Sequence, residues 1–360
     1  MLYITHDGAF TWEILDFPPV FYNPEYLNPD MEGGIRTIEF GDLNSCLMLL
    51  NSGEDLRTLW HTVDGGISWS LFSPVLIGAA GGDEYYAFST GLQNSLIEAG
   101  IAAVDFAPQG RGESEGDDNF HGTVHQDDLK VIADFLPQLP LVQEDNIGIL
   151  SWSYGVILAT GALARYPDMA VSFLIDLEGP SCPGKDFQRG LENNEAWVYE
   201  IIRYLNNGQD MTEEQLRFLV LHGGSIYDDE YWYERDASRF AADLPCPYLR
   251  VQFEHDHAQG IYKYHMMSIV NAAAGSGQWT RVNNNPPNTI YSDDNLSEYF
   301  FHEYNENKLP QTMSMDSAYV DSVLMGYIEE MFFSKPYNNP SSAIRTNRTI
   351  HTRQGWKIQA

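Results

Sequence analysis

From Pro74 onward, short apolar runs alternate with segments of helical spacing, and this alternation restricts the fold more than any other feature of the chain. "SPVLIGAAGG" reads as a buried strand ending in glycines, and "EYYAFSTGLQNSLIEAG" as a helix with a glycine stop. "IAAVDFAPQGRGESEG" is a strand entering a Gly-rich loop, followed by the helix "HQDDLKVIADFLPQL". The strand "IGILSW", a helix after Tyr154 and the strand "VSFLIDLEGP" come next. Further along lie the strand "CPYLRVQFEHD", the helix "IYKYHMMSIVNAAAG", the strand "QWTRV" and a closing helix "DSAYVDSVLMGYIEEMFF". This order predicts an α/β fold with a mostly parallel central sheet flanked by helices on both faces. In such sheets ligands bind beyond the carboxyl ends of the strands.

One junction is chemically marked. "IGILSWSYGVILATGALARYPD" (Ile147 to Asp168) passes from strand to helix through Ser-Trp-Ser-Tyr-Gly. A tight strand-to-helix turn needs small residues on either side of a central serine, because larger ones collide with the strand or the helix. That reading stands Ser153 at the strand tip and leaves Ser151 within the strand.

Residues from Pro180 to about Asp243 interrupt the alternation with aromatics and acids ("EAWVYEIIRYL", "YDDEYWYERDASRF") and predict a helical cap insertion at about 180–243. The tail 336–360 is polar and reads as a loose extension of a main domain spanning 74–335. Residues 1–73 predict a small β-rich segment. Within it "THDGAFTW" (Thr5 to Trp12) and "TVDGGISW" (Thr62 to Trp69) share Thr-x-Asp-Gly-x-x-(Thr/Ser)-Trp in one register, the pattern of an Asp-Gly hairpin. "IRTIEFGDLNSCLMLLNSGEDLRTLWHTVDGGISWSLF" has the rhythm of a whole four-stranded blade, although residues 35–50 also suit the first strands of the main sheet.

The charge excludes some partners. With 51 acidic and 20 basic residues the net charge is −31, which repels nucleic acid and anionic membrane. Cys46, Cys182 and Cys246 have neither disulfide-framework nor zinc spacing. The start, "MLYITHDGAF", lacks the basic and apolar regions of a signal peptide, so the sequence predicts a cytoplasmic protein, or a secreted one whose signal has been removed.

Four segments in order, "PVLIGAAGG", "VDFAPQGRGESEG", "IGILSWSYG" and "CPYLRVQFEHDH", resemble the α/β-hydrolase superfamily, in particular its branch of dienelactone hydrolases and prolyl oligopeptidase-like serine hydrolases. The two Asp-Gly repeats resemble the Asp-box of sialidase-like propellers. The first resemblance implies an α/β-hydrolase fold and a serine hydrolase cleaving a small-molecule carboxylic ester without a cofactor or metal. An amide-cleaving peptidase and a non-catalytic binding protein are the alternatives. A serine hydroxyl needs a base, the base an orienting carboxylate, and the oxyanion preorganised N–H donors. By resemblance the nucleophile is Ser153, and the oxyanion hole is the backbone of Tyr154 together with Ala79. The acid is Asp256, with Asp176 and Glu178 as rivals after the preceding strand. The base is expected in the long loop after the last strand, which points to His302, with His257 as the alternative and His265 as a structural histidine. Asp105 and Arg111-Gly112 are expected to hold the loop beside the site. Trp152 and Trp232 are the expected substrate contacts.

Overall fold

The computed structural model describes residues 74–79, 87–138, 142, 145–216, 219–221, 223–257, 263–300 and 317–338, and before these the backbone of six short strands. The first of those strands, β1 (Tyr3–Ile4) and β2 (Glu13–Ile14), pair antiparallel across the first Asp-Gly repeat. β3 (Gly34–Phe40), β4 (Cys46–Asn51), β5 (Arg57–Thr62) and β6 (Ser70–Leu71) form a separate four-stranded antiparallel sheet in sequence order. Residues 35–50 therefore build this blade-like meander and do not join the main sheet. The second repeat lies between β5 and β6, whose register pairs Trp60 with Leu71. The first repeat pairs Tyr3 with Ile14. The interval from Tyr3 to Trp60 equals that from Ile14 to Leu71 and from Thr5 to Thr62, so the sequence repeat is a repeat of strand register as well.

The main sheet is built from β7 (Val75–Ala79), β8 (Ala102–Asp105), β9 (Ile147–Trp152) and β10 (Phe173–Leu177). A short hairpin, β11 (Val220–Leu221) with β12 (Gly224–Ser225), belongs to the insertion. β13 (Tyr248–Val251) and β14 (Thr280–Val282) complete the sheet, whose order is β14-β13-β10-β9-β7-β8. Every neighbouring pair in it is parallel. Strands covered on both faces are apolar at nearly every position, which is why "VLIGA" and "FLIDL" show no polar alternation.

Successive side chains serve opposite faces. Val75, Ile77 and Ile149 pack with α2 (Thr123–Phe135), α3 (Gly155–Arg165), α8 (Ala237–Ala241) and α9 (Tyr264–Gly275). Leu76, Leu150 and Phe173 pack with α1 (Thr90–Glu98) and α11 (Ser317–Glu329) on the other face. Each fully buried aliphatic of this kind contributes roughly 1.5–3 kcal/mol.

Between β10 and β13 the chain forms α4 (Pro183–Glu192), α5 (Ala196–Leu205), α6 (Glu213–Leu216) and α7 (Asp229–Tyr233). These share an apolar cluster of their own from Cys182 to Trp232, whereas Ala237 and Ala241 of α8 belong to the core under the sheet. α10 (Leu296–Phe300) follows β14. Burial pushes the thiols of Cys182 and Cys246 up to about 12, so neither is a ready thiolate.

Gly148 lies inside β9 because the Phe173 ring on β10 occupies the space a Cβ would need. Gly148→Ala is expected to destabilise by about 1–3 kcal/mol through overpacking. The urea midpoint of Gly148→Ala should partly recover in the double variant with Phe173→Leu, and an unchanged midpoint in the single variant would contradict the packing described.

Candidate active site

The site begins at the tip of β9. Ser153 has φ of 52°, a left-handed conformation disfavoured for residues other than glycine, held because its N–H donates to Leu177 O at 2.9 Å while α3 starts immediately after it. Ser151 remains in the strand, fully buried, as the sequence predicts. Tyr154 caps α3, which puts its backbone N–H at the positive end of the helix.

One strand over, β10 ends in a turn that repeats this strain. Glu178 has φ of 50°. Asp176 builds the turn by accepting from Gly179 N (3.1 Å) and Ser151 Oγ (3.3 Å) with one oxygen. Its other oxygen accepts from Tyr248 OH (2.6 Å) and Arg250 Nη1 (2.5 Å). Arg250 Nη1 also donates to Gly179 O at 2.7 Å, so a buried ion pair fixes both ends of the turn. Gly179 has to be glycine, since a Cβ there would sit 2.7 Å from Ser153 O. The acid-bearing turn thus rests directly on the serine elbow.

Glu178 is 1% exposed and receives four hydrogen bonds. Oε1 accepts from Phe253 N (2.9 Å) and Gln252 Nε2 (3.2 Å); Oε2 accepts from His257 N (3.1 Å) and pairs with His257 Nδ1 (2.9 Å). The other ring nitrogen, Nε2, lies 2.9 Å from Ser153 Oγ. Nδ1–H donating to Glu178 leaves Nε2 as an acceptor for the serine hydroxyl. A serine, an imidazole and a carboxylate lie in one hydrogen-bonded line.

The chain has the α/β-hydrolase fold. The parallel sheet, its order and the strained serine between strand and helix carry that conclusion, as the resemblance implied.

The histidine at Ser153 is His257, which the sequence offered as the alternative to His302, and it extends from β13. The residues directly after β14, beginning with Asn283, carry no histidine, and His302 lies outside the described residues. The carboxylate on Nδ1 belongs to Glu178 after β10; Asp256 Oδ1 is 3.8 Å away, beyond hydrogen-bond reach. An adjacent residue's side chain diverges from the ring, and Asp256 bonds Gln252 Nε2 at 3.1 Å instead. Ser153, Glu178 and His257 thus come from the ends of three neighbouring strands, β9, β10 and β13.

The other expected residues fall as follows. Ala79 ends β7, buried and in register with Ser151, and the residues after it, 80–86, lie outside the described set. Trp152 closes β9 with its ring centroid 6.4 Å from that of His257, beside the base. Trp232 is 1% exposed, donates Nε1–H to Ser225 O (2.8 Å) and fills the core of the insertion, so it packs the cap and does not line a cleft. His265 is buried on Asp186 (2.6 Å), which also accepts from Ser181 Oγ and Cys182 N, and this pins the start of the insertion to α9. Asp105 accepts from Ala87 N, and Arg111 pairs with Asp118 and stacks over Phe120, whose ring meets Tyr154 edge-on at 5.3 Å. These are the structural roles expected of them. The ligating atoms of Glu178, Asp256 and His257 lie within 4.8 Å of one another, a grouping able to hold a metal ion. Both Glu178 oxygens and both imidazole nitrogens are already engaged, so an ion would have to displace those hydrogen bonds.

The surroundings of the ring raise the affinity of His257 for a proton. Burial works against the charge on His257, but the Glu178 hydrogen bond and the Asp256 and Glu178 charges outweigh it and hold the ring above the usual histidine range. Burial, with the Asp256 charge next, raises Glu178 in turn, opposed by its bonds to His257. Burial lowers Lys263 at the start of α9 to about 8, and its ammonium donates to Glu254 O at 2.5 Å.

No protein-family model matches the chain, and no curated protein matches it. Solved structures similar to it include acetyl xylan esterase 1 from Thermoanaerobacterium sp., 14% identical, covering 86% of this chain and 90% of that one with a TM-score of 0.43. Est1E from Butyrivibrio proteoclasticus with ferulic acid bound is 20% identical over 51% of this chain and 70% of its own (TM-score 0.38). An acylaminoacyl peptidase from Pyrococcus horikoshii is 15% identical over 81% of this chain, which spans 40% of that longer protein (TM-score 0.42). Among the described residues no helix is long and apolar enough to cross a membrane.

Proposed function

We propose that this chain is a serine hydrolase that cleaves a carboxylic ester through an acyl-enzyme. The observation that supports it is the line from Ser153 Oγ to His257 Nε2 and from Nδ1 to Glu178, with both links at 2.9 Å. Ser153 Oγ attacks the ester carbonyl as its proton passes to Nε2, and the negative charge moves to the carbonyl oxygen near Tyr154 N–H. Collapse expels the alcohol, which takes the proton from Nε2 and leaves an acyl-serine. Water then attacks, gives its proton to Nε2, and the acid departs as Ser153 regains its hydrogen. Glu178 orients the ring, fixes its tautomer and stabilises the imidazolium at each stage.

The test has two arms. A fluorophosphonate should form a stoichiometric adduct on Ser153, located by peptide mapping. A matched p-nitrophenyl ester and p-nitroanilide of one short acid should then differ strongly in favour of the ester. No adduct would support a binding protein on a hydrolase fold, and comparable turnover of both substrates would support an amide-cleaving peptidase.

A further inference from the structure

Two buried carboxylates flank His257, and the triad uses only one of them. Asp256 is 5% exposed, and nothing in the proton relay requires a second acid beside the ring. Its placement is nevertheless specific. Arg250 donates Nε–H and Nη2–H to Gln252 Oε1 at 3.1 and 2.8 Å, which fixes the amide orientation and turns its NH2 toward the acids. That single NH2 group then bridges Glu178 Oε1 and Asp256 Oδ2. Asn283, directly after β14, clamps the Gln252 backbone from both sides, accepting from its N–H and donating to its carbonyl. The two carboxylates are therefore held as a set by one amide.

The charges point the same way. The charged groups acting on His257 are Glu178 after β10, Asp256 on its own loop and Arg250 on β13, which pairs with Asp176 and lies 3.9 Å from Asp256 Oδ2. Arg250 bonds Asp176 and stands further from Asp256, so Glu178 and Asp256 both present negative charge to the imidazolium that forms when His257 takes the proton from Ser153.

We infer that Asp256 is a positioning residue for the base: a second carboxylate, 3.8 Å from Nδ1, that stabilises the His257 imidazolium from the side through its charge. The inference rests on Ser153, His257 and Glu178 forming the relay. It adds that the support of the ring is divided between two acids on neighbouring strands.

The experiment follows the rate of Ser153 modification by a fluorophosphonate against pH, which needs no knowledge of the natural ester. Wild type should react with an acid limb set by His257. Asp256→Asn should keep the high-pH rate within about fivefold and move the midpoint down by about one pH unit, since a nearby negative charge is lost. Asp256→Ser, which removes the charge with a shorter side chain, should shift the midpoint in the same direction. Glu178→Gln should slow the reaction roughly 10–100-fold, and adding Asp256→Asn to it should move the midpoint down further, because a second negative charge beside the ring is lost. An unmoved midpoint in both Asp256 variants, or the same midpoint in the double variant as in Glu178→Gln alone, would overturn the inference while leaving the relay standing. A wild-type protein that fails to react, or reacts unchanged in His257→Ala, would instead remove the relay itself.

Discussion

His257→Ala is expected to lower kcat/KM for a carboxylic ester by roughly three to six orders of magnitude, the range seen when a general base is removed from such a relay. His302→Ala is expected to leave it within a few-fold of wild type. The difference follows from position: His257 Nε2 is 2.9 Å from Ser153 Oγ and its Nδ1 the same distance from Glu178. The pH profile supplies a second reading of the same assignment. The base must be neutral to accept the serine proton, so activity is lost as pH falls through the His257 pKa, which the neighbouring carboxylates hold above the ordinary value. The acid limb of kcat/KM should therefore have its midpoint above about 6.5. The linked effect on stability has the opposite direction. A histidine raised on folding contributes stability below its unfolded pKa and loses it as pH rises through the folded one. Activity and this part of the stability thus change in opposite senses across the same window. Full activity in His257→Ala, with a collapse in His302→Ala, would return the base to the loop after β14.

The serine was legible in the sequence because everything that defines it is local. A strand, a small-residue pentad and a helix occupy consecutive residues, and Ser153 is where that pattern puts it. The pairing of Glu178 with His257 was legible only as separate alternatives, since it spans 79 positions and exists only through strand pairing. Leu177 pairs with Val251, and Glu178 N–H donates to Val251 O at 3.2 Å, so the residues leaving β10 and β13 emerge side by side. A rule about neighbouring side chains correctly separates Asp256 from the ring of His257. It says nothing about an acid from the next strand. The signal that was available is the acid at the tip of "FLIDLEGP": once β10 and β13 are taken as adjacent parallel strands, Glu178 is within reach of the loop bearing His257. Trp232 shows a different limit. Its aromatic surroundings mark an insertion, but composition alone cannot separate an aromatic that fills a small core from one that lines a cleft.

Arg250→Met is the substitution expected to damage the fold most, and the reason is the site it serves. The guanidinium is fully buried, with Asp176 Oδ2 at 2.5 Å, Gly179 O at 2.7 Å and Gln252 Oε1 at 2.8 Å. Burial alone would lower its affinity for the proton, but the Asp176 charge reverses this and raises it further. Methionine matches much of the volume and leaves Asp176 as a buried carboxylate without a cation. Removing one partner of such a pair costs about 3–5 kcal/mol, which for a domain of this size lowers Tm by roughly 10 °C. Methionine also frees Gly179 O and the Gln252 amide, so the turn that presents Glu178 loses an anchor at each end. A displacement of the acid by about 1 Å should reduce kcat/KM on the order of 100-fold even in the fraction that remains folded. The double variant Arg250→Met with Asp176→Asn separates the two effects. Neutralising the stranded carboxylate should restore more than half of the lost Tm, because the penalty of an unpaired buried charge is gone. It should restore little of kcat/KM, because the Gly179 and Gln252 contacts are still missing. Recovery of both together would mean that Arg250 acts only through Asp176, and a single variant with wild-type Tm would show that the buried pair does not hold the turn.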